Sequence, residues 1–280
     1  MPEAVAEIRI SSRDFQHLSA LVKERFGLVL DHNKEQMVTA RLSKRLRELH
    51  YTSFTDYYRH VTSDASGGAL KDMVDALTTK FTSFFREPEH FALLRDRILA
   101  EHSQCDPLRV WSAACSTGEE PYSIAITLLE ALDNAPGRSI EVVASDISAR
   151  ALKRASAGLY QAEQVATVPK ALARKYFLKG EGQWSGWYRV KPAVRELIEF
   201  RQINLMDPLP AQFPFSVIFC RNVMIYFDRL GQESVVNRLA PHLEPNGYLF
   251  IGHAEGLAGV EHPLRYIQPA VYKRGSGRGK

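Results

Sequence analysis

Two adjacent carboxylates, Glu119 and Glu120, stand behind an apolar run and a small-residue turn, Trp111-Ser112-Ala113-Ala114-Cys115-Ser116-Thr117-Gly118, and ahead of a helical pattern that opens Pro121-Tyr122-Ser123. Strand, small-residue loop and helix in that order let backbone approach a ligand in nucleotide-binding α/β domains. Acids at the helix start would repel the pyrophosphate that a helix N-terminus otherwise attracts. The ligand expected there is therefore a cationic or neutral nucleoside. S-adenosylmethionine fits, because it has a sulfonium, an amino group and a ribose diol, and no phosphate.

Four further positions have types and places that suit chemistry on such a ligand. Asp146 ends a second apolar run, Ile140–Ser145, where doubly wound sheets place an acid that accepts hydrogen bonds from a ribose diol. Asp146-Ile147-Ser148 equally suits a helix start. Asn204 follows a third run and can bond an adenine edge, with Leu205 packed beside the base, or simply close a turn. Arg86, in Phe81-Thr82-Ser83-Phe84-Phe85-Arg86-Glu87-Pro88, carries a guanidinium able to fork onto a carboxylate. That carboxylate would be the methionine end of the cofactor or an acidic methyl acceptor. Tyr226, in Cys220-Arg221-Asn222-Val223-Met224-Ile225-Tyr226-Phe227, either points a hydroxyl at the acceptor or packs at a strand end.

The secondary structure expected around these residues divides the chain of 280 into two parts. From Leu108 onward, short apolar runs alternate with amphipathic helices, the mark of a doubly wound sheet. Strands are expected at Leu108–Ala114, Ile140–Ser145, Leu197–Ile203, Phe215–Cys220, Tyr248–Gly252 and Tyr266–Lys273, with helices over Glu120–Leu132 and Arg229–His242. Ser148 should cap a short helix that Gly158 stops. Between Leu159 and Pro192 the alternation breaks, and a helix over Pro169–Phe177 and the strand-like Trp187–Val190 suggest an insertion with its own hairpin. Such an edge accepts an extended peptide, or the insertion merely packs on the sheet.

The first third reads as a small helical domain, with helices capped by Ser12 and stopped by Gly27, then over Asp31–His50, Phe54–Val61 and Leu70–Leu77. Lys34, Arg41, Lys44 and Arg45 line one stripe of the second helix. That stripe is either a solvated face or a docking surface for an acidic partner.

Composition excludes several classes. A net charge of +4 is too weak an excess to argue for nucleic acid, and no apolar run is long enough to span a membrane. Cys105, Cys115 and Cys220 lack metal-ligand spacing, so no metal is expected and the thiols read as buried or incidental. The first residues, with Glu3, Glu7 and Arg9, lack the core of a signal peptide, so cytoplasmic residence is expected. Residues 275–280 read as a frayed tail.

The segments Thr82–Arg86, Ala113–Ala125, Ala144–Ile147, Cys220–Phe227 and Gly252-His253-Ala254-Glu255 together resemble the chemotaxis receptor glutamate methyltransferases, the CheR family, from about Phe15 to Tyr272. The resemblance implies a class I (Rossmann-like) S-adenosylmethionine-dependent methyltransferase sheet over residues 79–280. A small all-α domain over residues 1–78 would precede it, and a β-subdomain would be inserted at about 159–193. It implies methyl transfer to glutamates on the cytoplasmic helical domain of a chemoreceptor, giving methyl esters and S-adenosylhomocysteine. A cofactor-binding module that docks receptors without catalysis is the alternative.

Carried over by position, Thr82, Arg86, Glu119, Glu120, Asp146, Asn204, Leu205, Arg221 and Asn222 contact the cofactor, and Arg86 and Tyr226 lie near the reacting centre. Arg41, Lys44 and Arg45 would face the receptor, whose C-terminal peptide would be tethered by the β-subdomain; a monomer is expected. One departure is Lys80, where the family has Asn; lysine donates only, whereas asparagine also accepts. The Ala254 position, where Ser is common, is a smaller one.

Overall fold

The computed structural model describes residues 8–78, 81–101, 107–132, 139–210 and 214–276. Lys80, Cys105, Glu3, Glu7 and residues 277–280 of the tail lie outside them. The chain folds as two units: Met1–Thr79 with Tyr226–Asp228, and Lys80–Ile225 with Arg229–Lys280.

The first unit is helical: α1 Ser12–Phe26, α2 Glu35–Glu48, α3 Phe54–Ser63 and α4 Gly68–Leu77. Phe15, Leu18, Val22, Val38, Leu42 and Leu46, at helical spacing, are buried together with Tyr57 and Met73. The cap of α1 is Ser11 rather than Ser12, because Ser11 is extended and its hydroxyl accepts from the Asp14 amide. The second helix starts later than its charge pattern suggests: His32–Lys34 is a 3₁₀ turn. Tyr226–Asp228 joins this unit through an antiparallel bridge of Phe227 to Leu28 and a Lys23–Asp228 ion pair of 2.8 Å.

The second unit begins with α5 Pro88–Leu93, a π turn over Leu94–Ile98 and α6 Leu99–Glu101. β1 Leu108–Ser112, α7 Glu119–Leu132, β2 Ile140–Asp146 and α8 Ala149–Ala157 follow. The insertion holds β3 Leu159–Gln161, α9 Ala162–Val165, α10 Lys170–Tyr176, β4 Phe177–Lys179, β5 Trp187–Val190 and α11 Pro192–Arg195. β6 Ile198–Gln202, β7 Phe215–Phe219, α12 Arg229–Leu239, β8 Leu243–Phe250, β9 Leu264–Gln268 and β10 Val271–Arg274 complete it.

Seven strands form one sheet in the order β6-β2-β1-β7-β8-β10-β9. The five from β6 to β8 run parallel, and β10 runs antiparallel to both its neighbours, β8 and β9. β7, Phe-Ser-Val-Ile-Phe, is buried at every position, as a central parallel strand covered on both faces must be. The order reverses between β1 and β7, so the loops leaving their carboxyl ends frame the crevice in which such sheets bind ligands.

Three strands differ from expectation, the first being β8, which starts at Leu243 rather than Tyr248 and ends at Phe250 rather than Gly252. Tyr266–Lys273 is two strands rather than one, broken at Pro269, which has no amide proton, and Ala270, whose φ is 61°. The insertion is a three-stranded antiparallel sheet, β3-β5-β4, rather than a hairpin, because three-residue β3 and β4 both pair with β5.

Candidate active site

The loop after β1 crosses the end of β2. The Cys115 amide donates to the Ser145 carbonyl at 2.8 Å, and the Ser116 amide to Asp146 Oδ2 at 2.8 Å. Asp146 Oδ1 accepts from the Ser148 amide, so the acid closes a turn as well as bracing the loop. Ser116 is held at a φ of 49°, and its hydroxyl is buried without a partner. A buried orphan hydroxyl costs free energy unless something meets it, so its place on the residue whose amide binds Asp146 fits a ribose.

Gly118 is required by packing. A Cβ there would lie 2.7 Å from Ala155 Cβ and 2.8 Å from the Tyr160 hydroxyl, and its φ is 98°. Gly118→Ala is expected to cost about 1–3 kcal/mol of stability, measurable by urea unfolding.

The two acids of α7 are spent differently. Glu119 is 1% exposed; its Oε2 accepts from the Thr117 hydroxyl at 2.7 Å and its Oε1 from Gln164 Nε2 at 3.0 Å. Glu120 accepts from the Ser112 hydroxyl at 2.7 Å and pairs with Arg221 Nη1 at 3.0 Å. Burial pushes both carboxyls above the usual range; Arg221 opposes this at Glu120.

Arg221, whose side chain is 1% exposed, also pairs with Glu87 at 2.8 Å and donates to the Arg86 carbonyl. Burial pushes the Glu87 carboxyl up, but the Arg221 guanidinium outweighs it and holds it below its usual value. Glu87, His90 and His253 have ligand-type atoms within 4.8 Å of one another, and Arg221 pairs with the same Glu87 oxygen that faces His90.

His90 is buried with neither ring nitrogen bonded, and stacks on Phe250. Burial, aided by Arg221, pulls its pKa from 6.5 down to about 3. The unfolded imidazole thus binds more protons than the folded one in that window. Its contribution is fully present above 6.5 and is lost as pH falls toward about 3. Urea unfolding at about pH 7 and about pH 4.5 should show this loss, with a shallower fall in His90→Phe.

Arg86 follows Phe85 and precedes Glu87, both in the left-handed region at φ 53° and 58°. The Phe85 amide donates to the Ser123 hydroxyl of α7, which anchors the segment. Arg86 Nη1 donates to the Phe81 carbonyl at 3.1 Å, and its guanidinium lies 5.6 Å over the exposed Phe81 ring. Thr82 is half-buried on the same segment.

After β7, Asn222 also has a positive φ, 56°, and its side chain reaches Glu87 Oε1 at 3.4 Å. Glu255 braces this loop: it accepts from the amides of Asn222 at 2.9 Å, Ile225 at 3.3 Å and Gly252 at 2.6 Å. A Cβ at Gly252 would lie 2.4 Å from Asn222 Nδ2. Of seven non-glycine residues with positive φ among the described residues, Phe85, Glu87, Ser116 and Asn222 fall in these loops, so backbone strain gathers here.

The remaining residues singled out from the sequence lie as follows. Asn204 accepts from the Met206 amide and closes a turn, with Leu205 buried beside it. Tyr226 ends the 3₁₀ turn Met224–Tyr226, and its carbonyl accepts from the Val29 amide. On α2, Arg41 donates to the Leu77 carbonyl, Arg45 pairs with Asp72, and Lys44 is exposed. Cys115 and Cys220 are buried free thiols.

Sequence reasoning missed Glu255 as a brace, and His90 altogether. Glu255 had a signal, since an acid two residues after a strand-end Gly-His can reach back to cap loop amides. The bracing of Glu119 by Gln164 had none, because the two are far apart in sequence.

The site and sheet define the class, an S-adenosylmethionine-dependent methyltransferase: residues 80–272 match the family model described as the CheR methyltransferase SAM binding domain. Residues 13–78 match the CheR methyltransferase all-alpha domain, and the chain belongs to the CheR methyltransferase family. It is 42% identical over 267 residues to chemotaxis protein methyltransferase 2 of Pseudomonas aeruginosa, covering 95% of this chain and 94% of that protein. To the chemotaxis protein methyltransferase of Escherichia coli it is 40% identical over 266 residues, covering 95% and 92%. To that of Borreliella burgdorferi it is 34% identical over 278 residues, covering 95% and 96%.

Proposed function

We propose that this chain methylates glutamate side chains on the cytoplasmic helical domain of chemoreceptors, with S-adenosylhomocysteine as the second product. The observation that carries the reading is the loop after β1, whose Ser116 has its amide on Asp146 at the carboxyl end of the sheet and its hydroxyl buried without a partner, in a chain of this family. Relatives that are named methyltransferases do not favour a docking module without catalysis.

Asp146 would hold the ribose, and Asn204 and Leu205 the adenine. Thr82, Arg86, Glu119, Glu120, Arg221 and Asn222, with Lys80, would surround the remainder. Within that set the Glu120–Arg221–Glu87 chain supplies a fixed pattern of charge, and Glu119 is engaged by protein donors. The bound cofactor supplies a methyl already activated on a sulfonium. A glutamate acceptor, with a reference pKa of about 4.3, is ionised near neutral pH, so no side chain need act as a general base. The chain's task is then to align the carboxylate and exclude water. Arg86 would orient the carboxylate and Tyr226 would assist.

Lys44, exposed on α2, would meet the acidic receptor surface, while Arg41 and Arg45 would shape that face from their bonds within the helical unit. No helix among the described residues is long and apolar enough to cross a membrane. The chain would work in the cytoplasm as a monomer, where the receptor's helical domain lies. The edges of the inserted sheet would take the receptor's C-terminal peptide as an added strand. A cavity of about 330 Å³ lined by Leu159, Leu178, Trp184 and Trp187 supports this by offering an apolar anchor.

Mass spectrometry of a receptor fragment after incubation with enzyme and cofactor tests the reading. Methyl esters on glutamates are expected; methylation confined to other residue types would contradict it. Capture of a receptor lacking its last residues should fall, and undiminished capture would remove the tether.

A further inference from the structure

The inserted subdomain reaches into the cofactor loop at two points. The Tyr160 hydroxyl, on β3, donates to the Thr117 carbonyl at 2.8 Å, and Gln164 Nε2, on α9, donates to Glu119 Oε1 at 3.0 Å. Gln164 has its orientation fixed, because its own Oε1 accepts from the Gln161 amide at 3.1 Å and leaves the amide nitrogen for Glu119. Glu119 in turn holds the Thr117 hydroxyl. Gly118, between the two tied residues, has no room for a Cβ beside the Tyr160 hydroxyl.

The same strands grip the Arg86 segment. Phe84 lies edge-on to Tyr160 at 4.9 Å and to Phe177 of β4 at 5.4 Å. Thr117 and Glu119 are thus pinned one residue and three residues after Ser116, whose left-handed backbone sets its hydroxyl in place. Without those pins the loop's strain has less to oppose it.

We infer that Tyr160 and Gln164 are positioning residues for cofactor binding: the inserted sheet holds the loop after β1 in the shape that takes the nucleoside. This rests on the proposed function, because it is the nucleoside that the loop would hold. The insertion is then part of the cofactor site's frame, besides any part it has in holding a receptor.

The test is calorimetric titration of S-adenosylhomocysteine into the full chain and into Tyr160→Phe, Gln164→Leu and Tyr176→Phe. Tyr176 is the control: its hydroxyl, in the same subdomain, donates to Glu130 on α7 rather than to the loop. Tyr160→Phe and Gln164→Leu should each weaken binding about three- to tenfold, the range that one lost hydrogen bond allows. Tyr176→Phe should bind as the wild type does. For the first two variants, turnover at saturating cofactor and the KM for receptor should stay within about twofold, the KM for cofactor alone rising.

Wild-type affinity in both loop variants would overturn the inference and leave the proposed function standing. Equal weakening in Tyr176→Phe would also overturn it, by showing a general loosening of the subdomain. Failure of the unmutated chain to bind S-adenosylhomocysteine would overturn both.

Discussion

Arg86→Ala should lower turnover about a hundredfold, the scale on which misplacing a reacting group by an ångström acts, and should do so more than Tyr226→Phe. Arg86 sits between two residues of positive φ on a segment tied to α7 through Ser123, so its backbone is fixed. Its guanidinium rests on Phe81, through the carbonyl and over the ring, and meets no carboxylate among the described residues, while Arg221 meets Glu87 and Glu120. An acceptor carboxylate would therefore find Arg86 without an ion pair among the described residues. Too tight a bidentate grip would quench the nucleophile, so orientation rather than strong binding is the expected role. Retained affinity for S-adenosylhomocysteine in Arg86→Ala would place the residue on the acceptor, and lost affinity on the methionine end of the cofactor. Activity equal to wild type at saturating cofactor would contradict either role.

Arg221→Ala should cost about 3–5 kcal/mol of folding stability, the usual consequence of removing one partner from a buried ion pair. The side chain is 1% exposed and serves Glu87 and Glu120 together, so its loss leaves two carboxylates without their counter-charge. Urea unfolding would measure this. Glu120→Gln in the Arg221→Ala background should cost less than it does alone, because the residues share one network. A loss below about 1 kcal/mol would mean the network is solvated rather than buried.

Much of this site was legible because its signals are local. Small residues and paired acids after β1, the acid ending β2, and the Ser148 and Gly158 boundaries of α8 each depend on a few neighbouring residues, and the structure has all of them in place. Signals that depend on a fold-level partner were not legible. Glu255 reads as an ordinary acid until β8 is laid beside β7, when three amides of two loops converge on it. The Gln164 bond to Glu119 had no signal, because only the inserted subdomain brings that amide to the carboxylate. The insertion's third strand escaped notice because β3 and β4 are three residues each, too short for alternation to show. The break between β9 and β10 was marked by Pro269, yet the apolar residues on either side read as continuous.

Methyl transfer from labelled S-adenosylmethionine to the cytoplasmic helical fragment of a chemoreceptor, scored as alkali-released methanol, decides whether glutamates are the acceptors. Label that alkali releases, and that disappears when the receptor's acceptor glutamates are changed to glutamine, is expected. Label that survives alkali, or that persists in the Glu→Gln receptor, would contradict carboxyl methylation.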